Sequence, residues 1–190
     1  MKTILFDLDG TLIDSTDAIL EGFEVAYETF GEVAPDCVRG DKWDYVDAYK
    51  KHYRIISRSK TTLLPLAHEA IEEAARFATL GIVTTKTAMY SRELLEHMGV
   101  MHHFDVLIGR EDVQNPKPHA EPIHKAIKHL DASYESTWMI GDTLLDLHSA
   151  KNAGIQSVGV LCGYGKKIEL SKHTKYIAHN ALEAVKLINI

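Results

Sequence analysis

The sequence has little of what marks membrane, disulfide-rich or nucleic-acid-binding proteins. Its two cysteines, Cys37 and Cys162, lie far apart and outside any CxxC pair, so we expect neither a zinc site nor a disulfide framework. No stretch approaches the roughly 20 apolar residues of a membrane span, and Asp7 and Asp9 interrupt any signal-like pattern near the N-terminus. A net charge of -6 argues against the basic surface that nucleic acids select. We therefore expect a reduced, cytoplasmic protein without a membrane or nucleic-acid partner.

What the sequence does have is a regular alternation of short apolar strands and amphipathic helices. Besides a first strand at 4–6, apolar runs predict five further strands, at 81–85, 106–109, 137–141, 157–161 and, more weakly, 176–178. Helical patterns separate them, for example the one at 66–80, which follows Pro65 and stops at Gly81. Strands separated by helices imply parallel βαβ units, so we predict an α/β fold with a Rossmann-like parallel sheet.

One segment, residues 15–64, breaks this alternation. It contains no convincing buried strand, and its apolar pattern predicts two helices, one ending at Gly31 and one running from Asp41 to about Ile56. We therefore predict a core formed by residues 1–14 and 65–190, with residues 15–64 as a helical insertion after the first strand. Such a short segment is too small to be stable alone, so we expect it to pack against the core.

Two aspartates follow the first strand. In the segment Phe6-Asp7-Leu8-Asp9-Gly10-Thr11, the side chains of Asp7 and Asp9 would project together, because alternate residues of a strand share a face. Gly10 lets the backbone turn sharply and approach a ligand closely. Two carboxylates at the end of a buried strand repel each other unless a cation or a proton lies between them. The segment therefore indicates a cation or proton site.

Other predicted strands also end in polar residues. One ends in Thr84 and Thr85, and a later one is followed by Asp142 and Asp146, which are four residues apart and can share one helical face. Lys117 lies between prolines that restrict the local backbone. Because open parallel sheets bind ligands at the carboxyl ends of their strands, we expect these side chains to lie together.

These elements together resemble the haloacid dehalogenase-like hydrolase superfamily, in the branch similar to phosphoglycolate phosphatases. Four signature elements occur in order: DLDGT at 7–11, the strand-end Thr84, Lys117 in a KPxxEP context, and GDTLLD at 141–146. The match spans nearly the whole chain. It implies the catalytic core of that superfamily at 1–14 and 65–190, with residues 15–64 as a short helical cap.

The resemblance implies a Mg²⁺-dependent phosphatase that acts on a small phosphorylated metabolite, such as a phosphoglycolate-like ester. Asp7 would be the nucleophile that forms an aspartyl-phosphate. Asp9 would protonate the leaving oxygen and then deprotonate the attacking water. Asp7, Asp142 and the backbone carbonyl of Asp9 would hold Mg²⁺, which prefers a few carboxylates together with waters and a phosphate oxygen. Asp146 would support the metal and its waters.

The resemblance also assigns residues to the phosphate. Thr84 would hydrogen-bond a phosphate oxygen, and Lys117 would offset the negative charge of substrate and nucleophile. Gly10 and Thr85 complete the expected phosphate site. Phosphoryl transfer depends mainly on positioning and charge neutralisation, which explains these residue types.

Two other functions share parts of this pattern. A phosphosugar mutase uses the same aspartyl-phosphate chemistry, although that branch tends to lack the GDxxxD form found at 141–146. A phosphorylation-regulated binding module of the receiver type also combines acidic residues, a hydroxyl and a lysine on a parallel sheet, but it carries no helical insertion after its first strand. Asp9 argues against carbon–halogen cleavage, because dehalogenase members lack this second aspartate.

A basic stripe marks the predicted insertion. Lys50, Arg54 and Arg58 recur every four residues, so a continuous helix would place them on one side. One interpretation is a solvated helix face. The other is that the stripe faces the catalytic cleft and that Arg54 and Arg58 grip a second anion of the substrate, such as a carboxylate, through paired hydrogen bonds.

Overall fold

The computed structural model describes residues 1–29 and 42–190. Residues 30–41, which include Cys37 and the predicted helix ends at Gly31 and Asp41, lie outside the described residues. The chain divides into two compact units, which we call the core unit (Met1–Ile13 with Leu63–Ile190) and the helical unit (Asp14–Thr62). The role of residues 15–64 as a cap stays a prediction.

The described residues form eight strands: β1 (Lys2–Phe6), β2 (Ile13–Asp14), β3 (Thr62–Leu63), β4 (Ala78–Val83), β5 (Val106–Ile108), β6 (Thr137–Gly141), β7 (Gln156–Val160) and β8 (Ile177–Ala178). Six of them form one sheet in the order β5-β4-β1-β6-β7-β8, in which all neighbours are parallel. The short strands β2 and β3 pair separately. The predicted α/β fold with a Rossmann-like parallel sheet is confirmed.

Eight α-helices accompany these strands in the described ranges: α1 (Thr16–Thr29), α2 (Lys42–Lys60), α3 (Ala67–Ala75), α4 (Ala88–His97), α5 (Glu121–Leu130), α6 (Leu144–Ala153), α7 (Lys167–Leu170) and α8 (Ala181–Ile188). Capping side chains help to set where helices begin. For example, α8 begins after Asn180, whose side-chain oxygen accepts a hydrogen bond from the backbone N–H of Glu183 at 3.0 Å. Among the described helices, none is long and apolar enough to cross a bilayer.

The sheet is buried on both faces, because successive residues of β1 enter different apolar clusters. Ile4 and Phe6 belong to a cluster that includes residues of α3, α4 and α8, whereas Leu5 belongs to a second cluster with residues of α5 and α6. This alternation follows from the two-residue period of a strand. It makes β1 the centre of the core.

The predicted helix at 66–80 is wrong at its C-terminal end. The helix α3 stops at Ala75, and residues 78–80 belong to β4. β4 pairs with the whole of β1, from Lys2 opposite Ala78 to Phe6 opposite Ile82, so it starts early enough to match that strand. Short apolar runs such as this one satisfy helix and strand periods alike, and here the tertiary pairing decides.

In the helical unit, α1 and α2 pack through aromatic side chains. The rings of Phe23 and Tyr49 lie 4.7 Å apart between centroids, and those of Tyr27 and Tyr45 lie 5.7 Å apart. Glu21 of α1 adds an ion pair with Lys60 of α2. The expected second helix is longer than predicted and continues to Lys60.

The sheet order positions a ligand site. β1 lies between β4 and β6, so the chain continues to one side of β1 first and to the other side later. Such a switch point leaves a crevice at the carboxyl ends of the strands. We call this the carboxyl edge, and the opposite side of the sheet the amino edge.

Candidate active site

Two carboxylates stand at the carboxyl edge because neighbouring strands end there. Asp7 follows β1, and its backbone N–H donates to the carbonyl of Ile140 in β6 at 2.8 Å. Asp142 follows Gly141, the last residue of β6. Asp7 is 6% exposed and Asp142 is fully buried. The pairing of β1 with β6 therefore brings together two acidic groups that are distant in sequence.

The turn after Asp9 closes tightly over Asp142. Gly10 has a φ of +84°, and a Cβ built on it would lie 2.5 Å from Oδ2 of Asp142. A side chain at this position would therefore be strained and would overlap the carboxylate. The next residue, Thr11, is buried, and its hydroxyl donates to Oδ1 of Asp142 at 3.3 Å and, more weakly, to Oδ2 of Asp7 at 3.5 Å.

Lys117 is the central cation of the site. Its side chain is 3% exposed, and its ammonium donates to Oδ1 of Asp7 at 2.6 Å, to Oδ1 of Asp146 at 2.6 Å and to the carbonyl of Val83 at 2.9 Å. An ammonium group has three N–H donors, so all of them are used. Lys117 is thus held by the end of β4, by the residue that follows β1 and by the first turn of α6.

The electrostatics of Asp7 and Lys117 oppose each other. Burial raises the pKa of Asp7 well above its usual range, while the charge of Lys117 partly lowers it and that of Asp146 raises it further. For Lys117, burial alone would lower the pKa, but the carboxylates of Asp146 and Asp7 and their hydrogen bonds raise it above its usual value. The lysine is therefore charged, and Asp7 needs a positive charge nearby to remain ionised.

Asp142 is held by a loop that lies after β7. Its Oδ2 accepts a hydrogen bond from the backbone N–H of Tyr164 at 2.7 Å. A Cβ added at Gly163 would overlap this carboxylate, so the loop approaches closely because that residue is glycine. Burial raises the pKa of Asp142 to about 6, against the Tyr164 hydrogen bond, which lowers it.

Asp146 is fixed at the start of α6. Its Oδ2 accepts hydrogen bonds from the backbone N–H of Thr143 at 3.0 Å and from the Thr143 hydroxyl at 2.6 Å, in a capping arrangement. Its Oδ1 accepts from Lys117. Both carboxylate oxygens are thus engaged within the site.

Three carboxylates of the site are close enough to share one cation. One oxygen each of Asp7, Asp142 and Asp146 lies within 4.8 Å of the others. Carboxylate oxygens are hard donors, which suit Mg²⁺. The donor set therefore fits the expected metal, although Asp146 contributes an oxygen that already accepts a hydrogen bond.

Asp9 differs from these three carboxylates. Its side chain is 21% exposed, and its Oδ1 lies 3.3 Å from the ammonium of Lys86, which is 11% exposed. Lys86 lies in the segment that follows β4, and its backbone N–H donates to the hydroxyl oxygen of Thr84 at 3.1 Å. This ion pair keeps Asp9 at the rim, apart from the buried group.

The two threonines after β4 occupy different environments. Thr84 is buried, and its backbone N–H donates to the carbonyl of Ile108 at 3.0 Å. Thr85 is exposed. Arg54 and Arg58 belong to α2 of the helical unit, where both are exposed, and their place in a substrate site stays a prediction.

Three contributors to this site were not predicted from the sequence: the hydroxyl of Thr11, the cap at Thr143 and the backbone N–H of Tyr164. Thr11 lies within the DLDGT segment and Thr143 within GDTLLD, so both were inside recognised motifs. Tyr164 acts through its backbone, which no residue type reveals. The available signal was the Gly-Tyr-Gly segment at 163–165, which begins three residues after the end of β7.

Comparison with known proteins identifies relatives of this chain. Residues 36–160 match the model of the haloacid dehalogenase-like hydrolase family. A putative pyrophosphatase PpaX of Caldanaerobacter subterraneus subsp. tengcongensis is 32% identical, over 84% of this chain and 81% of that protein. A phosphoglycolate phosphatase of Aquifex aeolicus is 29% identical, over 87% of each chain.

The fold also matches a solved structure. A haloacid dehalogenase-like family hydrolase from Streptococcus pneumoniae superposes with a TM-score of 0.86 at 28% identity, covering 98% of both chains. The chain therefore belongs to the haloacid dehalogenase-like hydrolase family.

Proposed function

We propose that this protein is a Mg²⁺-dependent phosphatase that hydrolyses a small phosphate monoester through an aspartyl-phosphate intermediate. The proposal rests on two carboxyl groups that follow the same strand, β1. Asp7 is buried and accepts a hydrogen bond from Lys117 at 2.6 Å, whereas Asp9 lies at the rim of the site. A nucleophile and a separate proton carrier are what the two half-reactions need.

Asp7 is the proposed nucleophile. Its carboxylate attacks phosphorus, the bond to the leaving oxygen breaks, and an acyl phosphate forms on the side chain. Burial favours the neutral acid and raises its pKa, so the positive charge of Lys117 is needed to keep the nucleophile ionised. Water then attacks the same phosphorus and restores the carboxylate.

Asp9 is the proposed acid and base. Its carboxyl gives a proton to the leaving oxygen in the first step and takes one from the attacking water in the second. Its partial exposure supports this role, because a rim carboxyl can reach a leaving group that departs toward solvent.

The metal residues are Asp7, Asp142 and the backbone carbonyl of Asp9. When bound there, Mg²⁺ supplies positive charge against the phosphate oxygens, as in other phosphoryl transfers. Asp146 fixes Lys117 and supports waters of the metal, since both of its oxygens already accept hydrogen bonds.

The phosphate residues are Thr84, Lys117 and, around them, Gly10 and Thr85. The hydroxyl oxygen of Thr84 accepts from the backbone N–H of Lys86, which leaves its hydroxyl hydrogen to donate to a phosphate oxygen. Lys117 offsets the charge of that phosphate and of Asp7 together.

The proposed phosphate monoester has one alternative as substrate, inorganic pyrophosphate, which is a phosphoanhydride and would react with Asp7 by the same attack on phosphorus. The relatives include proteins named as pyrophosphatases and one named as a phosphoglycolate phosphatase. Inorganic pyrophosphate and a phosphorylated carboxylic acid share a second anionic group next to the scissile phosphate. We propose that Arg54 and Arg58 bind that second anion, because both are exposed on α2 and spaced four residues apart.

A substrate screen tests the proposed function. Phosphate release is measured from pyrophosphate, phosphoglycolate, p-nitrophenyl phosphate and a hexose phosphate, each with Mg²⁺ and with EDTA. Steady, Mg²⁺-dependent release supports a phosphatase. Isomerisation of the hexose phosphate without net release would indicate a mutase, and a single stoichiometric phosphorylation without turnover would indicate a binding module. Either outcome would overturn the proposal.

A further inference from the structure

A second pocket lies at the amino edge of the sheet, on the side opposite the active site. Its volume is about 290 Å³, and it is lined by Lys151, Ile155, Gln156, Ser157 and the segment 173–176. Gln156 is the first residue of β7, and 173–176 immediately precedes β8. Because both strands run toward the carboxyl edge, this pocket is separated from the proposed catalytic residues by the length of the sheet.

The charge of this pocket is positive in a chain that is acidic overall. Two lysines, Lys151 and Lys175, and His173 line it, and no lining residue is acidic. Across residues 1–29 and 42–190, neither lysine forms an ion pair with a carboxylate; Lys175 instead lies 4.9 Å from the centre of the Tyr176 ring. The cations of this pocket are therefore not neutralised by the described part of the chain.

Hydrogen bonds hold the wall of the pocket in place. The hydroxyl of Thr174 donates to the carbonyl of Ser157 at 2.6 Å and accepts from the backbone N–H of Tyr176 at 3.2 Å. Ser157 is 9% exposed. The backbone N–H of Gly159 in β7 also donates to the carbonyl of Tyr176 at 2.9 Å. The segment that carries His173 and Lys175 is thus fastened to β7 at Thr174 and at Tyr176, which presents these two side chains from a fixed backbone.

The ring of His173 is also oriented by a second histidine, His148. Nε2 of His148, on α6, lies 3.1 Å from Nδ1 of His173, so one ring donates a hydrogen bond to the other. When His148 donates, the remaining proton of a neutral His173 is on Nε2, and that nitrogen becomes a donor. An anion in the pocket would favour this tautomer.

The lining discriminates between kinds of ligand. A metal ion would meet a single imidazole, that of His173, with two lysines nearby that repel it. An apolar ligand would find only Ile155 and Tyr176 as larger apolar partners. The pocket is at the small end of the range for ligand sites. Lysine ammonium groups act as point charges that suit phosphate groups. We propose that this pocket binds a small tetrahedral oxyanion, such as inorganic phosphate.

The test is a titration of the intact protein with inorganic phosphate, in EDTA and at constant ionic strength. Binding is followed by calorimetry and by the ring resonances of His173 and His148 in NMR spectra. We expect saturable shifts of both rings. In the double variant Lys151→Gln and Lys175→Gln, the phosphate Kd should rise at least about tenfold, because two neighbouring charges are lost.

The matched control is the double variant Lys128→Gln and Lys186→Gln, which removes two exposed lysines outside the pocket. Its phosphate Kd should change less than about twofold. Equal weakening in both double variants, or histidine rings that do not shift, would overturn the proposal. Acetate that binds as tightly as phosphate would overturn the assignment to a tetrahedral oxyanion. Because the pocket variants leave the catalytic groups intact, their basal hydrolysis should be unchanged, which separates this test from that of the proposed function.

Discussion

The charged side chains at the carboxyl edge of the core unit and those on α2 of the helical unit lie in opposite environments. In the core unit, Asp7, Lys117 and Asp146 are buried, and Lys117 donates to each of the two carboxylates at 2.6 Å. On α2 of the helical unit, Lys50, Arg54 and Arg58 are exposed to solvent. A buried charge depends on its partners, whereas an exposed charge is screened by water. Substitutions should therefore have much larger effects at the carboxyl edge than on α2.

The largest effect is expected for Asp7→Asn. An amide cannot form the aspartyl-phosphate, so kcat should fall about 10⁶-fold, as it does in a hydrolase that loses its covalent nucleophile. The measurement is phosphate release, with circular dichroism to show that the fold is kept. Asp105→Asn is the matched control, because Asp105 is exposed before β5 and should retain full activity. Near-normal turnover in Asp7→Asn would refute the proposed mechanism.

A smaller but still large loss is expected for Asp9→Asn. Both proton transfers are affected, so the loss should exceed the ~10²–10⁴ of a single acid–base step. An activated ester such as p-nitrophenyl phosphate should rescue only the first step, and mass spectrometry should then detect trapped phosphoenzyme.

Lys86→Gln sharpens this test, because it removes the ion pair to Asp9 but leaves the carboxyl in place. It should lose far less activity than Asp9→Asn. Equal losses in the two variants, with no trapped intermediate, would contradict the role of Asp9.

Stability should depend on pH through the buried carboxyls. The pKa of Asp142 is about 6 in the folded protein against 3.8 for the ordinary group. A raised pKa stabilises the fold while the group is protonated, and this contribution is lost as the pH rises from about 4 through 6. The free energy of unfolding of the metal-free protein should therefore decline over this window, and Asp142→Asn should flatten the decline.

Mg²⁺ should reverse that loss, since it replaces the proton between the carboxylates. At 100 times its Kd it would add about 2.7 kcal/mol, which corresponds to a rise in Tm of roughly 5–10 °C. The measurement is thermal unfolding with and without Mg²⁺ at pH 5 and pH 8. The rise should be larger at pH 8, and an equal rise at both values would argue against binding at these groups.

The smallest effect is expected on α2. Arg54→Ala or Arg58→Ala should raise KM for phosphates that carry a second anion by about tenfold, as for the loss of one hydrogen bond to a charged group. Hydrolysis of p-nitrophenyl phosphate should change little. Arg92→Ala, at an exposed arginine of α4, is the control. If the selectivity for acidic over neutral phosphates is unaltered, the arginines form a solvated surface only.

The sequence predicted that Asp7 and Asp142 lie at the carboxyl ends of strands, because each directly follows a short apolar run that is typical of a buried strand. It placed six strands of the main sheet, although β4 begins three residues earlier than expected, at Ala78. That boundary depends on the register with β1, a partner more than seventy residues away in sequence, which local patterns do not contain.

Tertiary contacts between residues that are distant in sequence were harder to predict. The ammonium of Lys86 lies 3.3 Å from the carboxylate of Asp9 because β4 lies beside β1, and no local sequence pattern contains that contact. The N–H of Tyr164 holds Asp142 through its backbone, so its side-chain type carries no signal. The roles of Arg54 and Arg58 remain predictions for the same reason: exposure on a helix does not identify a ligand.

The central position of β1 has a consequence for the order of assembly. Among the described strands β1 is synthesised earliest, but its two neighbours in the sheet are β4 and β6, and the latter ends at Gly141. The edge of β1 that faces β4 can pair once Val83 has been made, but the edge that faces β6 stays open until Gly141 has been made. Such long-range pairing is slow and exposes strand edges to misassembly. Asp7 is therefore synthesised long before Asp142, the carboxylate beside it at the carboxyl edge.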